Sequence, residues 1–158
     1  MSKAKESGQA LLEIAFSLSF FFLLVLATVD FGYMMSTKLT LQNAVRQAGR
    51  YAITGQCVTG ADGSCSASRY NSVIQTLQSY SLGLINSSNT STYVTLSCTN
   101  QGGGCPNNAG GPGDVVTISV AYPYPFITPL IAPFFPSNSY TIRVSSAFTN
   151  EPFPPNQS

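Results

Sequence analysis

An α+β fold is expected: a long N-terminal helix that starts within a membrane and continues into a domain outside the cytoplasm, where a second helix packs on a small antiparallel sheet. Three observations predict it. Residues 10–29, ALLEIAFSLSFFFLLVLATV, carry a single ionisable side chain. Residues 68–84 place apolar side chains three and four positions apart. Three later stretches alternate apolar with polar residues, the period of a strand with one buried face.

Composition narrows the function classes. Only 8% of the 158 residues are charged, and the formal net charge is +1. Binding to phosphate backbones needs clustered Lys and Arg, and the last lysine is Lys38. Nucleic acid is therefore not an expected partner. The chain has no histidine, which removes the commonest general base and the commonest metal ligand. No enzymatic activity, cofactor or metal is expected. A secreted enzyme would also need an acid and base pair, and Asp30, Asp62 and Asp114 stand far apart in sequence.

The twenty-residue apolar run spans about 30 Å as a helix, enough for the hydrocarbon core of a bilayer. Lys3, Lys5 and the initiator amine precede it, against Glu6. The positive-inside bias keeps that end in the cytoplasm and sends the remainder across. A cleaved signal peptide ending at Ala27 competes with this reading, but the run is long for one and Glu13 interrupts it. A carboxylate within an apolar helix is costly unless partnered. Glu13 either meets an α-amine freed by cleavage between Gly8 and Gln9, or sits near the helix start and reaches the headgroups.

After the membrane segment come Asp30-Phe31-Gly32 and then LQNAVRQAGRYA, residues 41–52. Together, GQALLE, the apolar run, VDFG and LQNAVRQAGRYA resemble the TadE-like family of tight-adherence (Tad/Flp) pilus systems. The resemblance is closest over residues 7–53. A valine-rich strand, a Pro and aromatic segment, a second strand and Glu151 are similar to that family's usual close. It implies a pseudopilin or minor pilin with a pilin-like ectodomain, resident in the inner membrane, with the extracellular pilus as the second location open to such a subunit. Its implied partners are other pilus subunits, the inner-membrane pilus platform, a prepilin peptidase and the lipid bilayer. By position, Gly8 and Gln9 flank the cut and Glu13 becomes the fifth residue of the mature chain, answering an N-terminal amine during assembly. Ile14 stands where the small major pilins carry Tyr.

Beyond Val29, Met34, Leu41, Ala44, Val45, Ala48, Tyr51 and Ala52 keep helical spacing, so one helix is expected through about residue 53, with its apolar stripe docking on the sheet. Gly32 and Gly49 weaken it locally. Cys57, Cys65, Cys98 and Cys105 follow, an even count outside the cytoplasm that reads as two disulfides. Of the three connectivities, Cys57 with Cys65 and Cys98 with Cys105 each bracket a short glycine-containing loop. Neither pair has the C-x-x-C spacing of a zinc site.

The second helix is expected over residues 68–84, with Ser66 or Ser68 as N-cap. Strands follow at Thr92, Val94 and Leu96; at Val116, Ile118, Val120 and Tyr122; and at Tyr140, Ile142, Val144 and Phe148, with Thr141, Arg143 and Ser145 facing away. The glycine-rich residues 101–114 lack the G-K-[S/T] ending of a phosphate loop and are expected to form a flexible loop. Asn86 and Asn89 open N-glycosylation triplets, which read as chance matches if the source is bacterial, as the resemblance implies. Five prolines in YPYPFITPLIAPFFP, residues 122–136, argue against helix or central strand. That segment either folds back on its own sheet or offers Phe126, Phe134 and Phe135 as an interface to another pilus subunit or to the membrane surface.

The expected organisation is a leader at 1–8, a transmembrane and extended helix at 9–53, an extracytoplasmic domain at 54–150 and a loose tail at 151–158. A bitopic envelope protein whose helix merely tethers an independent binding domain is the alternative to the pilin reading.

Overall fold

The computed structural model describes residues 3–57, 68–100, 103–104, 109–129 and 131–152. They form α1 (Lys3–Ile53), α2 (Arg69–Tyr80), a single-turn α3 (Thr90–Tyr93) and four strands: β1 (Val94–Asn100), β2 (Gly103–Gly104), β3 (Val115–Pro125) and β4 (Ser139–Thr149). The sheet order is β2-β1-β3-β4. The α+β arrangement expected from periodicity is present. By contact density the chain divides into two units, Met1–Ser36 with Tyr124–Tyr140, and Thr37–Pro123 with Thr141–Ser158.

In the first unit, every described side chain from Gly8 to Leu26 is exposed. Phe16 is 72% exposed and Leu11 69%, so the protein itself does not cover this apolar shaft. Gly8–Ile53 is long and apolar enough to cross a membrane. Two of the hydroxyls along it are satisfied internally. Ser19 Oγ donates to the Ala15 carbonyl at 2.8 Å and Thr28 Oγ1 to the Leu24 carbonyl at 2.8 Å, the back-bonding that lets Ser and Thr sit in an apolar helix.

The second unit holds a conventional core. Leu41, Ala44, Val45, Ala48 and Ala52 of α1 are fully buried, as are Val73 and Leu77 of α2 and Val116 and Ile118 of β3. Those α1 positions are the expected helical stripe. Arg46 and Arg50 face outward. Ile142 and Val144 of β4 are buried while Thr141, Arg143 and Ser145 are exposed, as alternation requires. The β1–β3 ladder is antiparallel, with register from Val94↔Val120 to Thr99↔Val115. Ser119 of β3 and Ser145 of β4 hydrogen-bond through their hydroxyls at 2.8 Å.

Gly49 does more than weaken a helix. A Cβ at that position would overlap the ring of Phe148 on β4, so glycine is what allows α1 and β4 to approach. In an open helix, Gly→Ala stabilises by about 1 kcal/mol. Here Gly49→Ala should destabilise by roughly 1–3 kcal/mol through overpacking. In a Phe148→Ala background the same change should become stabilising. Thermal unfolding of the full chain in detergent reads both, and a stabilised Gly49→Ala single variant would contradict the close approach.

Several expectations need correction. The second helix stops at Tyr80 rather than Leu84, because Leu82 (φ 53°) and Gly83 (φ 83°) turn left-handed and Ser81 Oγ accepts the Ile85 N–H at 3.2 Å. Its N-cap is Ser68, whose hydroxyl accepts from Asn71 N at 3.4 Å; Ser66 lies outside the described residues. Thr92 belongs to α3, so the first strand starts at Val94. Residues 101–114 are not loop throughout, since Gly103 and Gly104 pair with Asn100 and Thr99. Prolines did not exclude a strand either. β3 runs through Pro123 and Pro125, and both lie past the end of the β1 register, where a missing N–H breaks no ladder bond to β1.

Candidate functional site

Asp30 follows the apolar run directly, yet it is 2% exposed. Its carboxylate is held by a segment nearly a hundred residues away in sequence. Oδ1 accepts the Ile127 N–H at 2.9 Å, and Oδ2 accepts the Thr128 N–H at 3.2 Å and the Thr128 hydroxyl. The Tyr124 hydroxyl donates to the Asp30 backbone carbonyl at 3.4 Å. Two successive backbone amides converging on one carboxylate make charge-assisted bonds, the stronger class. Both oxygens are occupied, so Asp30 acts as a latch that ties Tyr124–Tyr140 to the helix.

The latched segment carries a chain of aromatic contacts. Ring centroids lie 5.9 Å apart for Tyr124 and Phe126, 4.5 Å for Phe126 and Phe135, and 6.4 Å for Phe135 and Tyr140. Between these rings and the helix lies an apolar groove of about 370 Å³. Ala27, Asp30, Phe31 and Met34 line it from α1, and Phe126, Ile131, Phe135 and Tyr140 from the segment, so its wall is apolar apart from the Asp30 carboxylate and the Tyr140 hydroxyl. The segment thus folds back on the helix, not onto its own sheet. It keeps Ile127 56% exposed and Tyr140 47% exposed.

A second buried charge organises the other unit. Arg69, the first residue of α2, is 2% exposed. Its guanidinium donates to the Ala52 carbonyl at 2.8 Å, the Ala109 carbonyl at 3.5 Å and the Gly110 carbonyl. Burial draws its pKa down and the nearby Asp114 carboxylate draws it back up. Ala52 lies in the last turn of α1, where carbonyls lack helical partners and the dipole favours a cation. The neighbouring Ile53 carbonyl accepts the Glu151 N–H at 2.9 Å. Asn150 Nδ2 gathers the same loop, donating to Ala109 and Gly111 carbonyls at 3.0 and 2.9 Å. Gly110 adopts φ +75° beside Asp114 and Asn150, a conformation suited to glycine.

Of the residues singled out from sequence, Gly8, Gln9 and Glu13 lie exposed along α1. Phe126 and Phe135 are brought together, Phe126 half-buried and Phe135 36% exposed. The Phe134 side chain lies outside the described residues, as do Cys65 and Cys105, and with them both expected cysteine pairings. Cys98 is buried and Cys57 half-buried. Asn86 and Asn89 shape a turn, with Asn89 Oδ1 accepting Asn86 N at 2.9 Å. Sequence reading missed the structural roles of Asp30 and Arg69. The available signal for Asp30 was a carboxylate immediately after a membrane-length run.

This geometry places the VDFG aspartate at the heart of the first unit. The family model for TadE-like proteins matches residues 8–50. The TadE-like match lies entirely within α1 and includes Glu13, Asp30 and the buried stripe as far as Ala48. It agrees with the resemblance carried by GQALLE, VDFG and LQNAVRQAGRYA. The partners of Asp30 in the Tyr124–Tyr140 segment lie outside the matched residues. No curated protein and no solved structure matches the chain significantly.

Proposed function

We propose that this chain is a membrane-anchored pseudopilin or minor pilin that takes part in assembling a Tad-type adhesive pilus, and that it acts by assembly and not by catalysis. The supporting observation is that the TadE-like match falls on a helix whose apolar side chains stay exposed from Gly8 to Leu26. Such a shaft needs a bilayer or neighbouring helices to cover it. Its N-terminus faces the cytoplasm on the strength of Lys3 and Lys5, and the sheet-bearing unit lies outside, where Cys57 with Cys65 and Cys98 with Cys105 form disulfides. A prepilin peptidase cuts between Gly8 and Gln9. Its other partners are pilus subunits and the inner-membrane platform.

Glu13 then meets a freed amine in the apolar medium. Glu13→Ala should leave membrane insertion intact and lower recovery of the chain with sheared pili by roughly tenfold, since a paired charge there is worth a kcal/mol or more. Unchanged piliation would count against the pairing. Intact-mass measurement of the native protein should show residues 1–8 removed, whereas a full-length mass would mean that the leader is retained.

A further inference from the structure

The groove beside Asp30 has a depth fixed by the helix that forms one wall. If residues 10–29 cross the hydrocarbon, Ala27 lies at its outer margin and Met34 about 7 Å beyond Val29, at 1.5 Å per residue. Latched at that level, Tyr124–Tyr140 must sit where the bilayer meets water. Its chemistry suits that depth. No Asp, Glu, Lys or Arg occurs between Asp114 and Arg143, and Tyr and Phe alternate with aliphatic residues and proline. Irregular backbone facing lipid is excluded from the hydrocarbon itself but not from the interface, where aromatic rings concentrate. Asp30 tolerates this place because its carboxylate is already hydrogen-bonded within the protein.

We propose that the Tyr124–Tyr140 segment lies in the bilayer interface beside the end of the transmembrane helix, and that its groove against α1 takes a lipid acyl chain. The occupant follows from continuity. The groove wall at Ala27 and Phe31 prolongs the exposed apolar surface that Gly8–Leu26 presents, and lipid covering the shaft reaches the groove without a break. A volume of about 370 Å³ lies within the range of small-molecule sites. This inference rests on the transmembrane reading of residues 10–29, and its test reports on the two separately.

The chain contains no tryptophan, so each substitution installs a single indole, excited at the red edge where the tyrosines do not absorb. Phe135→Trp, Ile127→Trp, Leu18→Trp and Leu39→Trp variants of the full chain are reconstituted into phosphatidylglycerol–phosphatidylcholine vesicles whose acyl chains are brominated near the glycerol end, and in a parallel set near the terminal methyl, the depth at which Leu18 is read. Leu18 reports on the span. Leu39 lies about 15 Å beyond Val29 on the same helix and reports on water. Phe135→Trp should lose emission roughly twofold or more to bromolipid, as expected for an interfacially buried ring, and Leu39→Trp should not. Ile127→Trp, outside the groove lining, gives the same answer should Phe135→Trp disturb the groove. Quenching of both by aqueous iodide alone overturns the proposal. Resistance to iodide and bromolipid alike also overturns it, since protein would then be the cover. If Leu18→Trp too escapes bromolipid, the transmembrane reading fails and takes this inference with it.

Discussion

Asp30→Ala is expected to release the Tyr124–Tyr140 segment from the helix. The substitution removes the acceptor of two backbone amides and one hydroxyl, all on a residue 2% exposed. Stranding the two buried Thr128 donors costs about 1–3 kcal/mol apiece, with bonds to a charged acceptor at the upper end, and the part-buried Ile127 amide adds less. A local loss of about 3 kcal/mol corresponds to roughly a hundredfold faster hydrogen exchange at the Ile127 and Thr128 amides. Asp30→Asn should recover only part of this, because its amide nitrogen would face donors. Thr128→Val removes a single hydroxyl and should cost about 1 kcal/mol. Exchange measured on the full chain in detergent decides the matter; unchanged protection in Asp30→Ala would show that aromatic packing alone holds the segment.

Arg69→Met should destabilise the sheet-bearing unit more broadly. Methionine preserves the packing volume of the stem but leaves the Ala52, Ala109 and Gly110 carbonyls without their guanidinium, and deprives Asp114 of the cation beside it. Breaking a buried charge arrangement by removing one partner costs about 3–5 kcal/mol. For a unit of this size that lowers the melting temperature by roughly 10 °C or more. Arg69→Lys should fall between, since one ammonium does not reproduce a planar fork of donors. A melting curve followed by near-ultraviolet circular dichroism of the tyrosines, again on the full chain, reads the effect. An Arg69→Met protein as stable as the parent would mean that water or a rearranged loop satisfies those carbonyls.

The two buried charges have parallel roles. Each sits on a helix and collects backbone groups from a segment with little regular structure of its own: Asp30 takes amides at Ile127 and Thr128, Arg69 takes carbonyls at Ala109 and Gly110. Short-range sequence pattern carries no information about such pairs. The Asp30 partners are separated by 97 and 98 positions, and nothing in the local composition near Ile127 points back to a helix.

What the chain determined by itself is whatever repeats over a few residues. The membrane-length run, the stripe at Leu41, Ala44, Val45, Ala48 and Ala52, and the alternation along β3 and β4 are periodic because a helix or strand must turn one face to the core, and periodicity is visible without knowing the fold. The TadE-like motif belongs here too. Tertiary structure alone decided where the proline-rich segment lies, that Gly49 is a point of close approach to Phe148, and that Asp30 and Arg69 are fastenings. These depend on which distant groups converge in space, and a buried charge is stable only where the assembled fold brings it enough partners to replace water.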